Sequence, residues 1–138
     1  MNPNTRACIA AAAGRLISGI ESTSVYDYSR SKHIGIAGNV SEGDIHLYDY
    51  DRQCHFSGSG SRGDYNLYDY GNQAHVSLQI SGDQFQGYDY GAQCHFSGRV
   101  NGNSVSLYDY GESKHFNYAV EKPSQKISPA DGLQPPLT

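Results

Sequence analysis

Tryptophan is absent from this chain, methionine occurs once, and only 10 of its 138 residues are lysine or arginine. Set against 14 acidic residues and a net charge of -4, so few cations exclude the basic face that nucleic acid or an anionic membrane surface demands. Long apolar runs are missing as well. The longest, Ala7 to Gly14, is far short of the roughly 20 residues of a membrane-spanning helix. Cysteine is scarce: Cys8, Cys54 and Cys94 are odd in number and lack metal-ligand spacing. Cys54 and Cys94 hold the same point of two non-adjacent repeats. Strands about 4.8 Å apart would keep them beyond the roughly 7 Å limit for a disulfide. Three free thiols and a cytoplasmic location are the expectation. Proline is confined to the ends. Pro123, Pro129, Pro135 and Pro136 mark a polar tail, residues 121–138, expected to be disordered. No phosphate loop, nucleotide fingerprint or nucleophile elbow occurs.

What the chain does have is tyrosine and glycine, 12 and 16 residues. Tyr-Asp-Tyr recurs at 26–28, 48–50, 68–70, 88–90 and 108–110, and each copy is followed by a histidine: His33, His55, His75, His95 and His115. A unit of about 20 residues used five times means one supersecondary element, repeated.

One unit reads as two strands. Ser104 to Tyr110 and Ser113 to Tyr118 alternate apolar and polar residues on either side of Gly111-Glu112, a glycine-first pair that predicts a two-residue type II′ turn. Asn101-Gly102 and Ser81-Gly82 predict further two-residue turns between units. These turns set one row of inward residues from Val25 and Ile34 through Leu47, Phe56, Leu67 and Val76 to Phe116. A neighbouring row of Asp27, Asp49, Asp69, Asp89 and Asp109 would alternate with Lys32, Cys54, Ala74, Cys94 and Lys114. The opposite face would alternate Tyr26, Tyr48, Tyr68, Tyr88 and Tyr108 with the five histidines.

The fold class is therefore mainly β. Residues 1–120 form a single domain in which five hairpins at 22–120 make a ten-stranded antiparallel meander or barrel. A helix within 4–20, capped by Asn4 or Thr5, packs in or on it. Its stripe is Ile9, Ala12, Ala13, Leu16, Ile17 and Ile20. Arg15 interrupts the apolar stretch, so an amphipathic helix is favoured over a cleaved leader. Closure would set Lys114 beside Asp27 and remove the edges. The competing architecture is a two-sided parallel solenoid. It would stack aspartate on aspartate at about 4.8 Å, which is unfavourable.

The unit carries two candidate sites. A sheet face with Tyr48, Tyr68, Tyr88, Tyr108, His55, His75 and His95 suits stacking on a carbohydrate or burial against a protein partner or a second copy. A rim with Asp49, Asp69, Asp89, Cys54 and Cys94 would suit a small-ligand carrier or an enzyme. A row repeated five times is better suited to structure than to catalysis, which needs unlike groups together. Aspartate beside a tight turn commonly accepts backbone N–H bonds. Equivalent histidines would stand about 9–10 Å apart, too far to share a metal. The expectation is a non-enzymatic binding module with no metal, no cofactor, no nucleic acid and no membrane partner.

Overall fold

The computed structural model describes residues 1–123. Most of the tail expected to be disordered therefore lies outside the described residues; its first residue, Glu121, ends a strand. The chain opens with α1 (Pro3–Ser18) and continues as ten strands. These are β1 (Ser24–Asp27), β2 (Lys32–Ser41), β3 (Asp44–Asp49), β4 (Cys54–Ser61), β5 (Asp64–Asp69), β6 (Ala74–Ser81), β7 (Gln84–Asp89), β8 (Cys94–Asn101), β9 (Ser104–Asp109) and β10 (Lys114–Glu121). Every neighbouring pair is antiparallel, and β1 pairs with β10, so the sheet closes into a barrel. The parallel solenoid is excluded. Closure leaves no unpaired strand edge.

The helix lies inside the barrel. Asn4 to Gly14 are all buried, so burial runs round the whole helix rather than along the expected stripe, as suits a helix surrounded by protein. Alanines 10 to 13 keep it thin. At Gly14 even one carbon more would stand 2.6 Å from Val120 Cγ2 and 3.0 Å from Val105 Cγ2. The helix starts earlier than expected. Asn2 is the N-cap, its side chain accepting from the N–H groups of Asn4 and Thr5, with Pro3 in the first turn. Gly19 ends it in the left-handed conformation at φ 73°. Around the helix the strands supply Val25, Ile34, Ile36, Leu47, Phe56, Leu67, Leu78 and Leu107, all at most 1% exposed. The inward residues are thus the apolar ones, as the alternation implied.

Two details of the hairpins differ from expectation. The loop inside each unit has four residues, not two: Asp69 pairs with Ala74, and Tyr70 to Gln73 form the turn. Gly71 does not take positive φ; Gln73 does, at 54°. Equivalent Gln53, Gln93, Ser31 and Ser113 do the same. This is a type I-like turn closed by a left-handed residue. The second difference is register. Within units the rows hold (Leu47 with Phe56, Leu67 with Val76, Leu107 with Phe116). Between units the turn pair falls one residue later, at Gly82-Asp83 and Gly102-Asn103, so Phe56 faces Asp69 instead of Leu67. At the longer β2 the offset doubles, and Leu47 faces Gly38 instead of Ile34. Shifts by even numbers keep inside and outside unchanged. Accumulated in one direction they supply the stagger that tilted strands need to close. Closure accordingly sets Asp27 against Tyr118, not Lys114.

Candidate functional site

The five aspartates gather at the barrel end that receives the start of α1, and all are at most 1% exposed. In each, Oδ1 accepts the N–H groups two and three residues on. For Asp69 these are Gly71 at 2.9 Å and Asn72 at 3.3 Å, and Asp27, Asp49, Asp89 and Asp109 repeat the pattern. Each aspartate is thus a turn cap. The other oxygen faces inward, and there the repeats stop being alike.

Asp27 Oδ2 takes Arg30 Nε at 2.7 Å. Asp49 Oδ2 takes Arg52 Nε at 2.7 Å and Asn4 Nδ2 at 3.1 Å. Asp69 accepts the Thr5 hydroxyl, and Arg52 reaches it as well, Nη1 at 3.2 Å. Asp109 pairs with the Met1 ammonium and Arg6, both at 3.1 Å. Asp89 Oδ2 has no partner among the described residues. The first turn of α1 is therefore polar because it docks on the aspartate ring. Lys32 and Lys114 stand opposite Asp27 and Asp109, as the row implied, but form no ion pair with them. Lys32 lies 3.4 Å from Asp51, and Lys114 sits over Phe116.

Charge at this end follows from these contacts. Burial pushes the Asp109 carboxyl up, but bonds from the Met1 ammonium and the Glu112 and Gly111 N–H groups outweigh it and hold it below the ordinary range. Asp27 is lowered likewise: burial opposes, and Ser29 and Arg30 prevail. Asp89 is raised, by burial above all. Burial also raises the thiols of Cys8, Cys54 and Cys94, leaving them protonated at neutral pH. All three are free, and Cys54 and Cys94 stand on strands four apart. Asp49, Asp69 and Asp89 are brought to one end, but the first two are tied to the helix through Asn4 and Thr5 and to Arg52 of the β3–β4 turn.

The outer face is the second site. Each unit forms one aromatic trio: Tyr48 meets Tyr50 and His55 edge-on with ring centroids 4.9 Å apart, and Tyr68, Tyr88 and Tyr108 repeat this with Tyr70/His75, Tyr90/His95 and Tyr110/His115. Because of the offset, the trios do not join into one alternating row; Tyr68 faces Ser57 and Tyr88 faces Ser77 on the far side. The second tyrosines, Tyr28, Tyr50, Tyr70, Tyr90 and Tyr110, are 53–61% exposed and ring the same end of the barrel. The histidines do not converge, and among the described residues no group of three or more His, Cys, Asp or Glu could hold a metal ion.

One sector of this face is concave. A groove of about 630 Å³ crosses the outside of β6 to β10, and a second depression of about 370 Å³ shares Gln79, Gln86 and Ser97 with it. Together they run from Tyr110 and His95 past Tyr88 to Arg99 and Ser81. Of the sequence-predicted residues, Tyr88, Tyr108 and His95 line these hollows, whereas Tyr48, Tyr68, His55 and His75 lie around the barrel outside them. The two central amides face each other across β6 and β7. Sequence reasoning missed them, yet they stand where the repeat breaks. Gln79 corresponds to Ser59, Arg99 and Ala119, and Gln86 to His46, Asn66 and Ser106.

No family model, no curated protein and no solved structure matches this chain.

Proposed function

We propose that this chain is a non-enzymatic binding module whose working surface is the grooved outer face of β6 to β10. The observation that supports it most is the amide pair Gln79–Gln86 in a hollow of about 630 Å³. That volume lies within the range of ligand sites, and among the described residues neither amide has a hydrogen-bond partner within the chain. The helix fills the barrel interior and the aspartates serve as caps, which argues against the reading as a carrier or an enzyme at the Asp/Cys rim. The test is a panel of small molecules, peptides and glycans screened by NMR chemical-shift mapping. Shifts clustered on Gln79, Gln86, Ser97 and Tyr108 are expected. Ligand-induced shifts clustered on Cys54, Cys94 and Asp89 instead would contradict the assignment.

A further inference from the structure

We infer that the ligand of the groove is a neutral oligosaccharide, an inference that rests on the binding surface proposed above. Three features of the lining lead there. The first is hydrogen-bonding type. Gln79 and Gln86 each offer a carbonyl oxygen and an NH₂ group, and Ser97 and Ser106 add hydroxyls that both donate and accept. A saccharide hydroxyl also donates and accepts, so amides and hydroxyls satisfy both its roles, whereas a lining of carboxylates or ammonium groups satisfies one.

The second is charge. Among the described residues Arg99 is the only cationic side chain lining the groove, and its Nε lies 3.8 Å from Asp83 on the adjoining turn. A polyanion such as nucleic acid or an acidic glycan would need several uncompensated cations along its track. The groove offers none beyond this one exposed pair.

The third is shape and aromatic placement. From His95 to Arg99 the hollow follows five residues of β8, four steps or about 13 Å at strand rise. It is open along its length, as an extended chain requires. Tyr88 and Tyr108 are half-buried along it, each held by an edge-on tyrosine and histidine at 4.7–4.8 Å. Rings fixed in this way present an amphipathic surface, an apolar body with a polar tip, at little cost in side-chain freedom. That matches a sugar ring, with C–H groups on its faces and hydroxyls at its edge. A peptide would instead seek deep apolar pockets for its anchors, and this lining is half polar.

Affinity electrophoresis through gels containing soluble neutral polymers tests the inference. A β-glucan, an α-glucan, a mannan and a galactan serve as probes, with polygalacturonate as the charged comparison. The full chain is run beside Gln79→Ala/Gln86→Ala and Tyr108→Ser, with circular dichroism as the check on folding. The expected result is retardation by at least one neutral polymer, reduced at least tenfold in apparent affinity in the double-amide variant, and weaker or absent with polygalacturonate. No retardation by any neutral polymer overturns the saccharide assignment. If the NMR panel then finds a peptide or small molecule in the groove, the binding-module reading survives; if nothing shifts there, both fall. Retardation unchanged in a folded double-amide variant places sugar binding elsewhere and also overturns the inference.

Discussion

Arg6 holds its Nη1 3.1 Å from Asp109 Oδ2, across 103 residues of chain, with both side chains buried. The same guanidinium lies 3.6 Å from the centroid of the Phe116 ring. The internal helix is thus locked to the last hairpin by an ion pair and a cation–π contact. Removing Arg6 takes one of two cations from the buried Asp109, leaving the Met1 ammonium, and ends the contact with Phe116. Arg6→Ala is expected to lower the unfolding free energy by about 1.5–3 kcal/mol, read by urea denaturation. Arg6→Lys should recover only part of this, because an ammonium lacks the planar face that stacks on the ring.

Asp69 and Asp89 hold equivalent places, yet substitution should act in opposite directions. Asp69→Asn weakens the contacts from Thr5 and Arg52 and should lower the melting temperature. Asp89→Asn keeps an oxygen for Gly91 and Ala92 while removing a buried charge without a partner. It should raise the melting temperature at pH 7. The folded protein binds a proton at Asp89 more tightly than the unfolded chain does, so ionisation at neutral pH destabilises the fold. The advantage of Asp89→Asn should therefore shrink as pH falls through the raised folded value. Thermal melts of both variants between pH 3 and pH 8 check the contrast.

Asp27 and Asp109 have lowered values, which fixes the opposite sign. Their stabilisation is fully present above the ordinary aspartate value of about 3.9 and is lost as pH falls through the lower folded values. Acid unfolding of the wild type should set in below about pH 4. Asp27→Asn should be less stable at pH 7 and show a shallower acid limb, measured by circular dichroism at fixed temperature.

How much of this was legible in the sequence depends on parity. Alternation in segments such as Ser104 to Tyr110 identified the strands, their inward residues and their antiparallel pairing. Register within units was legible, Leu67 meeting Val76 as the row implied, but register between units was not, because an even shift such as that at Gly102-Asn103 leaves every side chain on the same face. Hydrophobic patterning cannot distinguish such offsets. The position of the helix had a signal that the stripe obscured: no charged residue between Cys8 and Gly14, and polar Asn4, Thr5 and Arg6 together in the first turn. The groove was concealed for the opposite reason. The repeat drew attention to Tyr-Asp-Tyr and the histidines, while Gln79 and Gln86 are departures from it.

Glycines inside strands mark where the barrel turns tightly. A Cβ at Gly58 would stand 2.0 Å from the Asn66 carbonyl oxygen, a backbone atom that cannot move aside. Gly58→Ala should cost about 2–3 kcal/mol, at the upper end for overpacking. Gly82, with φ at 62°, has nothing within 4 Å. Gly82→Ala meets only the left-handed penalty of about 1–2 kcal/mol. Equilibrium denaturation should rank the two in that order.

The fit of helix to barrel allows a double-mutant test. Gly14→Ala drives a methyl towards Val120 and Val105 and should cost about 1–3 kcal/mol. Val120→Ala alone opens a cavity and is destabilising too. Combined, the second change makes room for the first, so the pair should be more stable than the sum of the two losses predicts, by at least about 0.5 kcal/mol.

Native-state hydrogen exchange of α1 bears most directly on the claim that five hairpins close around a permanent core helix and leave only the outside for ligands. The amides of Ala10 to Ala13 should exchange only through global unfolding, with the same free energy as Leu67 and Leu107 and the same denaturant dependence. Exchange of the helix through a separate, lower-energy opening while the strand amides stay protected would show a removable plug and an interior that can be emptied, contradicting the account.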